Sequence, residues 1–508
     1  MRINLEQGIN RCQLVYDTYQ NDWISLKGVL KFVAEQGFTQ KKTLVLTDLS
    51  SPDADVDKLY SELAHLIQNQ HIHQLIGIGP QLLTYAHKFL LLPETYFFEN
   101  IVSMLASELL DKQYGNVVIV KGANTCTMDM IVARLRKKCH DTVLEIDLGA
   151  IQHNLDFFRN KLSTDTQVIA MVKASAYGSG SYGIAHLLQQ CRVDYLAVAY
   201  ADEGVTLREN GIHLPIMVMN PSPTSFTKLL AHNLEPVIYS LRLLNDWFNF
   251  LGENPAHNKI HIKLDTGMHR LGFMEQDIDT LIQTLQGASH LSIKSICSHL
   301  AAPGTQHHNA YTHAQAKLFQ QMVYYIEGKL GVSLPKHLLN TAGTYIFPEY
   351  KFDMIRLGIG LYGLTKDVQQ YLKPASTLKT VISQIKEVPA GATIGYERKG
   401  LAQRLTQVAV LAIGHADGFR RSLSNGQGKV YVNGKLAPVI GNVCMDMTMV
   451  DITGIEAQEG DEVIIFGKEL PIAEVAAAMD TIVYEVLTNV NERVRKVYYK
   501  EFVCTTVT

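Results

Sequence analysis

Between residues 143 and 375 the sequence repeats one rhythm: a short apolar run, then a segment whose apolar residues fall at helical spacing. Eight runs read as strands: "VIAMVK", "YLAVAY", "PIMVMN", "EPVIYS", "IHIKLD", "SIKSICSH", "HLLN" and "DMIRLGIGL". Patterns such as "GIAHLLQQ", "TSFTKLLAHN" and "DIDTLIQTLQGA" lie between them. Eight strand–helix units over roughly 230 residues are what a (β/α)8 TIM barrel requires. A doubly wound sheet of eight strands would give the same rhythm, because strand order is not written in the chain. The polar residues sharpen the choice. Lys173, Asn220, Lys263, Asp265, His299, Asn340 and Arg356 stand at or near the downstream ends of separate strands. Such residues converge on one face only if the strands close into a ring.

The flanks differ in character. From residue 1 to about 140, "CQLVYDTY", "KTLVLTD", "HQLIGIG" and "NVVIVKG" read as strands and "MDMIVARLRKK" as an amphipathic helix, which predicts a Rossmann-like α/β domain with a mainly parallel sheet. The polar run "RKKCHDT" (136–142) is the expected linker. From 376 to 508 the chain turns β-rich, with "TLKTVISQIKEV", "TQVAVLAIG", "KVYVNGKLAPVIG", "MTMVDIT" and "DEVIIFG" separated by turn signals. Asn433-Gly434 marks a two-residue hairpin. A mostly antiparallel β domain is expected there, with a short helix at "ELPIAEVAAAM". The division is thus 1–140, 143–375 and 376–508, in keeping with about three domains for a chain of this length.

Composition narrows the function. A net charge of -3 implies neither nucleic acid nor an anionic membrane as partner. The seven cysteines are scattered, without a C-x-x-C pair, which suits a reducing cytoplasm and argues against a metal site. The polar opening "MRINLEQGINRCQL" lacks a signal-peptide core, and no uncharged apolar run reaches the roughly 18 residues of a membrane span.

One stretch asks for chemistry. In "AMVKASAYGSGSYG" (170–183) an apolar strand ends in Lys173, with Gly178, Gly180 and Gly183 just beyond. A dinucleotide loop places its first glycine in the tight turn directly after the strand. Here "KASAY" intervenes, so the spacing disfavours that reading. A lysine at a strand end can instead attach an aldehyde covalently, or it can simply fold its stem over the barrel rim.

"VIAMVKASAYGSG" resembles the pyridoxal-phosphate (PLP) lysine motif of alanine racemases, and the resemblance runs on through residues 143–508. "LEIDLGAIQHNL" is similar to that family's opening strand and helix. "KLDTGMHRLGF", "FDMIRLGIGLYGL", "IGYERKG", "IGHADGFRR" and "GNVCMDMTMVDIT" follow in the family's order. The resemblance implies a PLP-dependent barrel plus β domain that interconverts L- and D-alanine for peptidoglycan synthesis. It implies that Lys173 carries PLP covalently and acts as one base, with Tyr396 as the base on the opposite face. It assigns the ring nitrogen to Arg356, the ring face to His299, and the phosphate to Tyr177, Asn340, Thr341, Gly358 and Ile359. Arg270, Met445 and Asp446 become substrate-side residues, and Lys263 a lysine open to carbamylation, the alternative being a salt bridge to Asp265. His299 and Arg356 would supply a cationic neighbourhood that lowers the Tyr396 pKa. The family's tyrosine comes from a second subunit, so a head-to-tail homodimer with shared sites is implied. Two positions depart from the pattern: His415 replaces a tyrosine near the substrate entrance, and Glu492 replaces a tyrosine that reaches the phosphate. A broad-specificity racemase, acting for example on serine, is the alternative.

The first 140 residues resemble the carboxy-terminal domain of the ligase that adds D-alanyl-D-alanine to the muramoyl tripeptide. Asp17, Tyr19, Asp22 and Ser25 match one motif, with Gln20 in place of asparagine, and Lys121-Gly122 match another. A G-x-x-x-x-G-K-[ST] loop for ATP is absent from the sequence. The segment is therefore expected to be an inactive remnant, or part of a larger ligase–racemase fusion.

Overall fold

The computed structural model describes residues 2–49, 55–122, 125–137, 140–252, 259–287 and 291–501. They form two compact units, one of residues 150–375 and one combining 1–149 with 376–508.

The first unit is built on a closed barrel of eight parallel strands. In chain order these are Gln167–Met171, Tyr195–Val198, Ile216–Val218, Glu235–Ile238, Lys259–Lys263, Ser292–Cys297, Lys336–His337 and Met354–Leu357. Each overlaps one of the eight apolar runs, the seventh only at His337. Closure is made by the eighth strand pairing with the first, Arg356 opposite Ile169 and Leu357 opposite Ala170. That pairing rules out the doubly wound alternative. The runs are almost unbroken in apolar character because a parallel strand walled in by helices is buried on both faces. The surrounding helices carry the expected end signals. Ser240 accepts a hydrogen bond from the Leu243 amide (3.3 Å) and starts helix Leu241–Leu251, which buries Leu243, Leu244, Trp247 and Leu251. Helix Asn309–Leu330 stops at Gly331, whose φ of 68° is left-handed.

In the second unit the N- and C-terminal stretches share one sheet. Its parallel part runs Gln13–Asp17, Val117–Lys121, Lys42–Thr47, Gln74–Ile78, Glu94–Phe98. Four of these five strands are legible as apolar runs. "ETYFF" is not, since its residues are only partly buried at the sheet edge. Strand Arg2–Gln7 joins the halves: it lies antiparallel to Gln13–Asp17 on one side and to Arg495–Glu501 on the other. Beyond it come Val143–Asp147, Ser376–Val388, Glu462–Phe466 and the hairpin Lys429–Val432/Lys435–Pro438. The hairpin turns at Asn433 (φ 41°) and Gly434 (φ 88°), both left-handed as a type I′ turn demands. Val143–Asp147 opens the middle stretch in sequence, yet its partners are Arg495–Glu501 and Ser376–Val388.

The seam is tied by charge as well as by backbone. Glu6, 2% exposed, accepts from Arg136 (2.9 Å) and Arg495 (3.2 Å). The Arg2 guanidinium pairs with Glu145 (2.6 Å) and lies 4.1 Å from the centre of the Tyr499 ring. Among the described residues no helix is long and apolar enough to cross a membrane.

Candidate active site

The first barrel strand ends at Met171, and after Val172 and Lys173 the chain enters a left-handed turn. Ala174, Ser175, Ala176 and Tyr177 have φ of 52°, 53°, 50° and 56°. For residues with a Cβ this costs about 1–2 kcal/mol each, so neighbouring structure has to hold it. Ala176 N–H donates to the Val172 carbonyl (2.9 Å), Gly178 N–H to Ala174 (2.8 Å) and Gly180 N–H to Ser175 (2.8 Å). Glu203 clamps the turn from the next unit of the barrel, accepting from the amides of Ser175 (3.3 Å), Ala199 (2.7 Å) and Tyr200 (3.3 Å). The glycines therefore serve a left-handed backbone, with Gly178 and Gly180 also at positive φ. Sequence reasoning missed both the turn and Glu203; neither alanine nor serine signals positive φ.

Lys173 sits half-buried at the head of this turn. Burial pushes its pKa below the ordinary lysine value, and the Arg270 and Arg356 cations push the same way against Glu203. Lys263 is held down likewise, by burial and by the same two arginines. No salt bridge joins Lys263 to Asp265. Asp265 instead accepts from the amides of Gly267 and His269, both at 3.0 Å. Arg270 is exposed.

Arg356 is 4% exposed, and its terminal nitrogens are fully engaged. Nη1 donates to His337 Nδ1 (2.5 Å) and to the His337 carbonyl (3.2 Å). Nη2 donates to the carbonyls of Ser298 (2.6 Å) and Leu338 (2.8 Å) and lies 3.4 Å from His299 Nδ1. Only Nε–H is left without a partner among the described residues. His299 has its pKa driven well below 6.5, first by burial and then by Arg356, Arg270, Lys263 and Lys173. Burial and these cations favour its uncharged form, so the positive charge expected of His299 rests more on the arginines.

Tyr177 is buried, and its ring centre lies 4.9 Å from that of Tyr362. A side chain at Gly358 would put its Cβ 2.5 Å from the Tyr177 hydroxyl, and one at Gly360 would strike Thr341 and Phe158. Thr341 Oγ1 accepts from the amides of Gly358 (3.0 Å) and Gly360 (3.4 Å). Asn340 Oδ1 accepts from Gly343 N–H (3.0 Å), and Ile359 is buried. The barrel thus gathers a lysine, two arginines, a neutral histidine and a small-residue cradle.

The other sequence-derived residues belong to the second unit. Tyr396 is exposed and its carbonyl accepts from Asn442 Nδ2 (3.2 Å). Met445 and Asp446 are exposed on a loop stitched to the "GHADG" loop. His415 N–H donates to the Cys444 carbonyl (2.9 Å) and Ala416 N–H to that of Met445 (3.0 Å). Arg493, not anticipated from the sequence, grips buried Asp417 with two bonds (2.6 and 3.0 Å) and reaches Asp446 at 2.8 Å. His415 and Glu492 are exposed. In the N-terminal stretch, Asp17 and Lys121, and Asp22 and Ser25, are engaged with each other. Asp17 and Lys121 form an ion pair (3.0 Å) with both side chains wholly buried, and Asp22 caps helix Trp23–Glu35 in a reciprocal box with Ser25. Among the described residues no group of three or more His, Cys, Asp or Glu side chains is placed to hold a metal ion.

Comparison with known proteins gives a consistent answer. The model of the alanine racemase N-terminal domain matches residues 146–366, and that of the C-terminal domain residues 375–498. The alanine racemase of Halothermothrix orenii is 35% identical over 374 residues, covering 70% of this chain and 96% of that protein. The alanine racemase of Methanococcus maripaludis is 35% identical over 372 residues, covering 71% and 99%. The solved alanine racemase of Clostridium difficile 630 superposes with a TM-score of 0.67 at 33% identity, over 72% of this chain and 97% of that one. That of Bartonella henselae, solved with covalently bound pyridoxal phosphate, gives 0.65 at 28% identity, over 70% and 99%. Neither family model extends to the first 145 residues. Barrel, β-rich domain and sequence similarity agree, and the chain belongs to the alanine racemase family.

Proposed function

We propose that this protein interconverts L- and D-alanine with PLP attached to Lys173, using Lys173 and Tyr396 as proton carriers on opposite faces of the substrate. The observation that carries the reading is the position of Lys173, half-buried at the head of the turn after the first barrel strand in a chain of the alanine racemase family, with its pKa lowered by burial. An amine attaches an aldehyde, or takes a proton, only when neutral.

The residues present fit PLP. Arg356 retains a single unpartnered N–H, suited to a ring nitrogen, and its fixed positive charge opposes protonation of that nitrogen. The backbone around Gly358 and Gly360 leaves no room for side chains, as a phosphate cradle requires, with Tyr177, Asn340, Thr341 and Ile359 around it. Bound there, PLP would supply an electron sink that makes the Cα proton of an amino acid removable. Neutral His299 can pack against a ring without competing for its phosphate.

On this reading Lys173 takes or returns the Cα proton on the D side and Tyr396 on the L side. Arg270 holds the substrate carboxylate, with Met445 and Asp446 bounding the substrate. Lys263, whose pKa is lowered first by burial and then by Arg270 and Arg356, is available for carbamylation, which would give Arg270 an acceptor. Tyr396 reaches the site of a second copy in a head-to-tail homodimer, as the family's pattern implies. The D-alanine formed serves peptidoglycan synthesis. Residues 1–140 act as a ligase-like remnant without ligase activity, since Asp17 and Lys121 are spent on each other.

The test is direct. Purified protein supplied with PLP is incubated with L-alanine in deuterium oxide. We expect D-alanine by chiral chromatography and deuterium at Cα by mass spectrometry. Recovery of unlabelled L-alanine alone would refute the activity.

A further inference from the structure

Arg356 is a buried cation with no carboxylate against it among the described residues. Burying a guanidinium is costly unless a negative charge compensates it. The barrel interior provides one at a distance, through an unbroken chain of side chains. Arg356 Nη1 meets His337 Nδ1 at 2.5 Å, His337 Nε2 meets Ser295 Oγ at 2.8 Å, Ser295 Oγ meets His261 Nδ1 at 2.7 Å, and His261 Nε2 meets Glu235 Oε2 at 3.1 Å. The five residues come from five successive barrel strands, the fourth to the eighth, and His261, Ser295 and His337 are wholly buried.

The directions of these bonds follow from chemistry alone. A guanidinium can only donate. His337 must then accept on Nδ1 and carry its proton on Nε2, which points to Ser295. The hydroxyl has one hydrogen, so it turns to His261 Nδ1. His261 must in turn carry its proton on Nε2, facing a carboxylate that can only accept. Every link has one donor and one acceptor, and all the dipoles run the same way. The chain ends at Glu235, whose other oxygen pairs with half-exposed Lys259 at 3.3 Å.

We propose that Glu235, His261, Ser295 and His337 are positioning residues for Arg356, forming an aligned relay that brings the Glu235 charge to bear on the guanidinium and fixes which of its N–H groups stays free. The proposal rests on the reading that Arg356 faces the cofactor ring. Ordinary polar packing would satisfy each group pairwise, with no coupling between the ends. A relay couples them, because aligned hydrogen bonds polarise one another.

The test uses full-length enzyme loaded with PLP and labelled with 15N at the histidine rings, with peaks assigned from His261→Gln and His337→Gln. In the unaltered protein His261 and His337 should each show a protonated Nε2 and an unprotonated Nδ1, a result that needs no variant to fold. Glu235→Gln removes the charge with little change of shape, and Ser295→Ala cuts the chain in the middle. Each should lower kcat by about tenfold, the worth of a hydrogen bond to a charged group, and should shift the His337 resonances. In the Ser295→Ala background, Glu235→Gln should then do nothing further to kcat or to His337. Additive losses, or a proton on His337 Nδ1, would overturn the relay. Failure of the unaltered enzyme to racemise alanine would overturn the functional reading instead, while the ring spectra would still decide the relay.

Discussion

The Lys173 amine and the His299 and His337 rings owe their chemistry to what surrounds them. Lys173, Arg356 and Asn340 could be picked from the sequence because each stands at the end of an apolar run. The neutral state of His299 could not, since it comes from burial and from cations on four other parts of the barrel. His337 makes the same point: "KHLLN" gives no sign that its ring is buried between Arg356 and Ser295. The pKa of His337 is driven well below 6.5, so over an acid range the unfolded chain binds a proton that the folded one excludes. Stability must therefore fall as pH drops below about 6.5, by up to about 1.4 kcal/mol per pH unit for this ring. Urea unfolding between pH 7 and 5 should show this dependence, and His337→Gln should lessen it, leaving the part that His299 contributes in the same way.

At the scale of elements, the barrel was legible and the turn after Lys173 was not. Eight apolar runs specify eight strands because both faces of each are buried. No local preference of Ala174, Ser175 or Ala176 favours a left-handed backbone; hydrogen bonds to Val172 and Glu203 impose it. This yields a prediction of opposite sign to the usual one. In a right-handed helix, Ala→Gly destabilises by roughly 0.5–1 kcal/mol. Exposed Ala174 has φ of 52°, so Ala174→Gly should relieve strain and stabilise by about 1 kcal/mol. Thermal denaturation of the two proteins side by side will read the sign.

Across the whole molecule, the unforeseen feature is the single sheet shared by the two ends of the chain. Strand Arg2–Gln7 mixes apolar and charged residues and lacks a clear strand signal. Its pairing with Arg495–Glu501 joins positions almost the full chain length apart, which no local pattern can encode. The strand would otherwise leave an unpaired sheet edge. Glu6 anchors this seam through Arg136 and Arg495, so Glu6→Gln leaves two cations poorly matched. A loss of about 2–4 kcal/mol in unfolding free energy is expected, measured by denaturant titration, with the Kd for PLP unchanged because the residues proposed to hold the cofactor lie in the barrel.

The two-base assignment, with Tyr396 opposite Lys173, is tested most directly by Tyr396→Phe. With each enantiomer supplied separately in deuterium oxide, the variant should keep the visible absorbance of bound PLP while losing turnover from L-alanine by about a hundredfold or more, the usual worth of a general base. Racemisation of both enantiomers at the unaltered rate would contradict the account.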